Sequence, residues 1–441
     1  MKKLLPLVAL LVVVAAAAAA ARWWRADAPE WTTDSPTALA ELEAGEQAMQ
    51  KLYYDDGVAH FDRALEHDAD FLAPKVRIVQ LGNMAGIERE RLAALLDEVR
   101  AADLDRVTPR ERLLARWVLA RVDRDGETAR SLVEEFLADH PDDPYALDLA
   151  CNAAFARSEV EEAERCFERL IELDPNRVQA QNFLGYLAMA RGDFAAAEER
   201  FEIYRYVAPD QANPHDSLGE LYLLTGRYDE AERQFERAVA VKGDFCASWQ
   251  NLVLVELLAG DPTAAAARAA EARQAGGCPE PGLLALDCRV DLWGSAAGGR
   301  WQEVVARGGD CRQMAGDLLV ISHWAAWQAG DEETAAAIVE QVRGYGEDPM
   351  VRTAVAHLEA VGLLHRGRPD AAVERFRAAD REIHYQSQDW LFKMFNRQAL
   401  AVALDAAGRA EEAAALRAEI AAVNPRLSGG GLPMGGVPAA R

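Results

Sequence analysis

The sequence predicts an all-α protein, a solenoid of about eleven helix-turn-helix units between residues 38 and 427, and three observations predict it. Alanine and leucine abound while β-branched residues outside the N-terminus are sparse, a helix-forming composition. The chain repeats itself at a spacing of 34: Ala129, Ala163, Ala197, Ala231 and Ala265 keep that period, as do Phe167, Phe201, Phe235 and Pro141, Pro175, Pro209. Leu184-Gly185 returns as Leu218-Gly219, and Gly192 as Gly226 and Gly260, in the same phase. Several residue types in one phase mark a repeat whose units cannot bury an apolar face alone and must stack.

The chain opens with "MKKLLPLVALLVVVAAAAAAARWWR", an export signal over residues 1–25. Lys2 and Lys3 precede a strongly apolar run that ends in alanines, as in a cleaved signal peptide. The 18 apolar residues are equally the length of an uncleaved membrane anchor, with Trp23 and Trp24 as an interfacial belt. Either reading places the body outside the cytoplasm, and membrane contact is expected only through residues 4–25. Residues 26–37 read as a linker and 428–441, "SGGGLPMGGVPAAR", as a disordered tail.

The stretch "SLGELYLLTGRYDEAERQFERAV" (217–239) shows how one unit works. Gly219 and Ala231 are small where two antiparallel helices cross, and Phe235 fills the space beside the crossing. Gly226 supplies the left-handed residue that ends the first helix. Asp229 and Glu230 sit at the start of the second, where its dipole favours acids. Pro209 separates one pair from the next. The array over 38–277 holds about seven units, best patterned from 144 onward. Over 278–427 the pattern blurs, but Gly330, Gly367 and Gly408 each precede a second-helix pattern, as in "DAAVERFRAAD" and "AEEAAALRAEIAAVNP". "HYQSQDWLFKMF" is surplus to the period and reads as a longer helix.

These residues resemble the tetratricopeptide repeat, with its W-x2-L-G-x2-Y, A-x3-F and P pattern. The unit at 212–245 supplies Leu218, Gly219, Tyr222, Ala231, Phe235 and Ala238, with His215 at the Trp position and Gly243 at the Pro position. The unit at 178–211 keeps Leu184, Gly185, Ala197, Phe201 and Pro209. The resemblance implies a right-handed α-solenoid whose first helices line a concave, partner-binding groove. The family's inward positions fall on Tyr145, Asp148, Asn152 and Phe155, on Gln179, Asn182, Tyr186 and Met189, on Asn213, Asp216, Ser217, Glu220 and Leu223, and on Gln250, Asn251 and Leu254. Amides there suit the backbone of an extended peptide, and Tyr145, Phe155 and Tyr186 suit anchoring. None of these residues is Lys or Arg, which argues against a clamp for a C-terminal carboxylate. Residues 31–260 also resemble the extracytoplasmic repeat halves of bacterial membrane-bound serine/threonine kinases and winged-helix regulators. Those proteins carry an effector domain before the membrane segment, so a sensing role here is expected to act through a separate partner.

A net charge of −24 disfavours nucleic acid and anionic headgroups and favours neutral or basic protein partners. The six cysteines form no CxxC pair, and a disulfide is expected between Cys278 in "GGCPEP" and Cys311 in "GGDCRQ". Cys151 and Cys166 read as small buried hydrophobes. His357 and His365, eight apart on one helix, read as solvent-facing side chains rather than as metal ligands. No nucleophile elbow, zinc-protease motif or phosphate loop occurs. Catalytic residues, metal and cofactor are therefore expected to be absent. The expected function is a non-enzymatic scaffold or adaptor that binds protein or peptide partners through the groove. The alternative is a ligand-sensing repeat module coupled to a separate membrane regulator.

Overall fold

The structure, a computed structural model of the chain, describes residues 30–427 apart from 83, 176, 313–315, 347–348 and 386–388. The export segment and the C-terminal tail lie outside the described residues. Among the described residues there are twenty-two helices and no strand, the number that eleven helix pairs require. None of these helices is long and apolar enough to cross a membrane.

The chain divides into two compact units between Glu159 and Val160. The first holds α1 (Pro36–Gln50), α2 (Tyr54–His67), α3 (Leu72–Leu81), α4 (Arg89–Ala101), α5 (Pro109–Val122), α6 (Gly126–Asp139) and α7 (Pro144–Ala156). The second begins with α8 (Val160–Leu173), α9 (Gln179–Ala190), α10 (Phe194–Val207), α11 (Ala212–Leu224), α12 (Tyr228–Val241), α13 (Cys246–Ala259) and α14 (Pro262–Gln274). It continues through α15 (Glu280–Ala297), α16 (Trp301–Cys311), α17 (Gly316–Ala329), α18 (Glu332–Arg343), α19 (Pro349–His365), α20 (Pro369–Glu382), α21 (Asp389–Ala406) and α22 (Ala410–Val423). The division expected at residue 277 thus lies inside the second unit. One apolar core runs without interruption from Ala188 to Leu427 there and ties the well-patterned repeats to the divergent ones.

The turns follow the chemistry of their residues. Gly226 lies at φ +76°, a left-handed backbone, and Gly192, Gly260, Gly330, Gly367 and Gly408 share that conformation. In three of these turns an aspartate follows the glycine and caps the next helix: Asp193 accepts from the Ala196 amide at 3.0 Å, Asp261 from Ala264 at 2.9 Å and Asp331 from Thr334 at 3.0 Å. The "RGD" at 191–193 is one of these turns. In the first unit Thr108 and Glu111 form a reciprocal capping box at the start of α5.

Three hairpins close on the same contact. A Cβ on Gly219 would stand 2.6 Å from the Phe235 ring. Gly185 faces Phe201 and Gly45 faces Phe61 in the same way, so the glycine-to-phenylalanine spacing recurs in both units. Phe61, Phe201 and Phe235 are fully buried.

The second unit also closes upon itself. After α22 the Asn424 amide donates to the carbonyl of Leu223 at 3.2 Å, two hundred residues back, at the end of α11. A Cβ on Gly226 would meet Asn424 Oδ1 at 2.6 Å, and the Arg426 guanidinium stands 4.8 Å from the centre of the Tyr228 ring. Phe194 and Tyr385 meet edge to face at 5.6 Å, and the Trp293 and Phe395 rings lie 5.9 Å apart.

The cysteine pairing differs from expectation. Cys246 is bonded to Cys278 and Cys288 to Cys311, so Cys278 and Cys311 do not pair with each other. Cys311 lies not in a loop but at the last residue of α16, beside the preceding helix α15 that carries Cys288. Cys246 opens α13, and Cys278 stands just before α15, the next first helix of the array. Cys151 is fully buried as expected, but neither it nor Cys166 is a free thiol.

Two outcomes follow. Gly219→Leu should destabilise the protein by about 1–3 kcal/mol or more, because the added side chain must push Phe235 out of a filled core. An unchanged urea midpoint would contradict the crossing. Peptide mapping of non-reduced protein should return the 246–278 and 288–311 bridges, and Cys278→Ser should release Cys246, not Cys311, to thiol labelling.

Candidate partner-binding site

The inward positions expected to line a groove fall on four helices. Those in the second unit lie on α9, α11 and α13, and most of them are buried. Met189 and Leu223 are fully buried core residues, and Asn182, Asn213, Asp216, Ser217 and Glu220 are buried polar ones. Gln179, Tyr186, Gln250 and Asn251 are half-buried. The polar residues pair largely with each other. The Tyr186 hydroxyl donates to Glu220 Oε2 at 2.6 Å and stands 3.2 Å from Ser217 Oγ. The Ser248 hydroxyl donates to Asp216 Oδ1 at 2.6 Å, and the Asn251 amide donates to the same oxygen at 3.3 Å. Asn213 donates to the Tyr204 hydroxyl at 3.2 Å. One network therefore links three successive first helices. Asn182 Oδ1 is buried with no hydrogen-bond partner among the described residues.

Electrostatics follows from that burial. Glu220 is pushed above the ordinary carboxylate range by loss of water and then by the Asp216 charge beside it. Asp216 is pushed up by burial, opposed by its bonds from Ser248 and Asn251. Burial, with Glu220 next, also holds the Tyr186 phenol well above its usual value.

The remaining inward positions, Tyr145, Asp148, Asn152 and Phe155, lie on α7 in the first unit. Asn152 turns its amide back to the Asp148 carbonyl at 2.7 Å. Tyr145 is already engaged. Trp31, from the stretch read as linker, packs edge-on against it at 5.3 Å, and the Arg110 guanidinium stands 4.7 Å from its ring centre. Trp31 is buried, Thr108 donates to the Glu30 carbonyl at 3.2 Å, and Arg110 pairs with Glu30 at 2.9 Å. Residues 30–32 are therefore held on this unit. Cations reach Tyr145 although no inward position carries one.

In the second unit the inner face opens into a cavity of about 330 Å³. Glu220, Gln250, Asn251 and Leu254 form one wall, as their inward positions require. The opposite walls come from the divergent repeats: Arg289 of α15, Asp317 and Val320 of α17, Val342 of α18, Val351 of α19, and Asp389, Trp390 and Phe395 of α21. Arg289 donates to both Asp317 oxygens at 2.9 Å, and Trp293 Nε1 donates to Asp317 at 3.1 Å. Asp389 has no ion pair among the described residues, and burial pushes it up to about 6. Sequence reasoning missed this second wall, because chain closure brings it into place. One signal was available: Trp390 and Phe395 belong to the surplus stretch, which forms the long helix α21 as expected.

The histidines also differ from expectation. His357 is fully buried and lies 3.0 Å from Asn396 Oδ1, and the half-buried His365 stacks on Trp327 at 5.5 Å, so neither stands free in solvent. Burial holds His357 neutral, pushed down to about 4, and the buried His323 near them to about 3. Among the described residues no group of His, Cys, Asp or Glu is arranged to hold a metal ion.

Comparison with known proteins places the repeat. Residues 214–245 match the family model described as tetratricopeptide repeat. No curated protein matches the chain. Among solved structures it is similar to PilW, a type IV pilus biogenesis factor, at 14% identity over 54% of this chain and 94% of that one, with a TM-score of 0.34. It is similar to a tetratricopeptide repeat protein of Parabacteroides merdae at 11% identity over 59% and 98% of the two chains, with a TM-score of 0.41. Its likeness to the APC/C heterotetramer Cut9–Hcn1 has 14% identity over 88% and 74% of the chains and a TM-score of 0.49.

The buried acid pair gives a signed pH dependence. Glu220 is raised above its unfolded value of 4.5, so the stability it contributes is complete below about pH 4.5 and is lost as pH rises through the folded value. Glu220→Gln cannot ionise and still accepts from Tyr186. It should gain stability over the parent above neutral pH, by on the order of 1 kcal/mol at pH 8, with little difference at pH 5. Thermal melts showing the same offset at both pH values would contradict this.

Proposed function

We propose that this tetratricopeptide-repeat protein is a non-enzymatic scaffold or adaptor that binds neutral to basic protein or peptide partners. We place it outside the cytoplasm, exported and tethered to the inner membrane by its N-terminal segment. The observation that carries the reading is the shared inner face of α9, α11 and α13. It carries amides, acids and Tyr186 in repeat register and no lysine or arginine at these positions, a lining suited to segments without negative charge where Gln179, Gln250 and Asn251 remain half-exposed. The repeat itself supports the reading: its regularity builds a surface and places no nucleophile beside a base.

A second reading is favoured by the cavity on the same face. A concave, mostly apolar space with a few convergent polar groups is the form of a small-ligand site. The protein would then be a ligand-sensing module that reports to a separate membrane regulator.

The triple change Asn182→Ala, Asp216→Ala and Asn251→Ala tests the main reading. Each lost hydrogen bond to a partner should weaken capture by about 0.5–1.5 kcal/mol. The control changes the outer-face acids Glu198, Glu199 and Glu232 to Ala. Partner capture from membranes should fall for the inward variant and persist for the outward one, with circular dichroism showing both folded. The reverse pattern would move the working surface to the acidic outer face.

A further inference from the structure

The walls of the second-unit cavity also say what kind of ligand it takes. Its volume of about 330 Å³ lies at the lower end of the roughly 300–1,000 Å³ of small-molecule sites. The charges on its walls do not balance. Glu220, Asp317 and Asp389 face a single cation, Arg289, and that guanidinium is already spent on Asp317 in a two-pronged pair. Asp317 is satisfied further by Trp293. What remains is Glu220 on one wall and Asp389 on the other, with no basic side chain paired to either among the described residues. The lining also includes Leu254, Trp390 and the half-buried Phe392, an apolar bed whose aromatic faces attract cations. Two large apolar side chains on the cavity wall stay in solvent, Tyr345 at 57% and Met350 at 41% exposure.

We infer that this cavity binds a small organic cation, an ammonium or amidinium group on an aromatic or branched apolar body. The cationic group sits toward Glu220 and Asp389 and the body against Trp390 and Phe392. An anion is disfavoured because the one cation on the walls is already neutralised. Burial raises both acids above the ordinary carboxylate range, and a cation beside them favours their ionised forms. The inference rests on the ligand-sensing reading and narrows it to a chemical class.

The test uses the full chain and three probes of one shape: phenethylammonium, phenethyl alcohol and 3-phenylpropionate. Isothermal titration and quenching of tryptophan fluorescence report binding, since Trp390 lies on the wall. The ammonium should bind saturably, the alcohol about tenfold or more weakly, and the carboxylate not at all. Asp389→Asn should lower ammonium affinity about tenfold and leave alcohol affinity unchanged. Leu254→Trp, which fills the cavity, should abolish both. Thermal melts establish that each variant is folded, and Asp389→Asn decides the matter if the filled variant is not. Equal binding of alcohol and ammonium overturns the cationic class while leaving a ligand site. Preference for the carboxylate overturns it too, because Arg289 would then be available. No binding of any probe to folded protein overturns both the class and the ligand-sensing reading, and leaves capture of protein partners as a separate question.

Discussion

A glycine that lets a phenylalanine ring lie against the backbone of the neighbouring helix sets the geometry on which the rest depends. Gly219 and Phe235 make this contact, and so do Gly185 with Phe201 and Gly45 with Phe61. The close approach fixes how far apart the two helices of a hairpin lie and which residues the pair turns inward. A hairpin so closed still has one apolar face uncovered, and only the next hairpin covers it. Repetition is therefore a requirement of burial. The left-handed glycine and the capping aspartate between helices make the turn compact enough for the repetition to keep phase.

In the second unit that requirement continues until the chain meets itself. The tail of α22 reaches the turn between α11 and α12, where Asn424 bonds Leu223 and Arg426 covers Tyr228. The inner face cannot then remain an open groove along its whole length. Asp216, Ser217 and Glu220 have lost their water and replaced it with Tyr186, Ser248 and Asn251. Such a network holds successive first helices in register, and it leaves two carboxylates close together in a dry place, which disfavours ionising both. Two disulfides add to the same region: Cys246–Cys278 joins the starts of consecutive repeats and Cys288–Cys311 ties a helix to its own partner.

How much of this could be read from the chain follows from which contacts are local. The hairpin, its crossing and its turn lie within one period, so residue types in phase disclose them, and Gly219, Phe235 and Gly226 were assigned their roles from spacing alone. Inward positions are also local, and Glu220, Gln250, Asn251 and Leu254 do face the cavity. What covers them is not local. Asp389, Trp390 and Phe395 lie well over a hundred residues later, in repeats whose pattern has blurred, and no periodicity connects them to Glu220. The glycine-rich stretches around Cys278 and Cys311 read as loops, which sets the two cysteines against each other. The continuation of α16 to Cys311 moved that thiol beside α15 instead. The burial of His357 has the same origin: a histidine eight residues from another suits a solvated face until a further helix, bearing Asn396, is laid over it.

The blurring of the pattern after residue 278 has a physical counterpart. A repeat that only stacks on its neighbours needs the standard interface on both sides, and its sequence stays in phase. Helices α15, α17, α18, α19 and α21 do more than stack, since they also wall a cavity against α11 and α13. Positions that the stacking pattern would fill with small or aliphatic residues instead carry Arg289, Asp317 and Asp389, and α21 is eighteen residues long where α20 and α22 have fourteen. Charges in such a place are costly unless paired, and the pairing is uneven: Arg289 and Asp317 satisfy each other, while Asp389 and Glu220 have no cation. Glu220 has the Tyr186 hydroxyl for a partner, and stacking gives no such reason for Asp389. The cavity lies between the well-patterned repeats and the divergent ones, so a ligand bound there would touch both, and its binding energy would add to the contacts that hold the second unit closed.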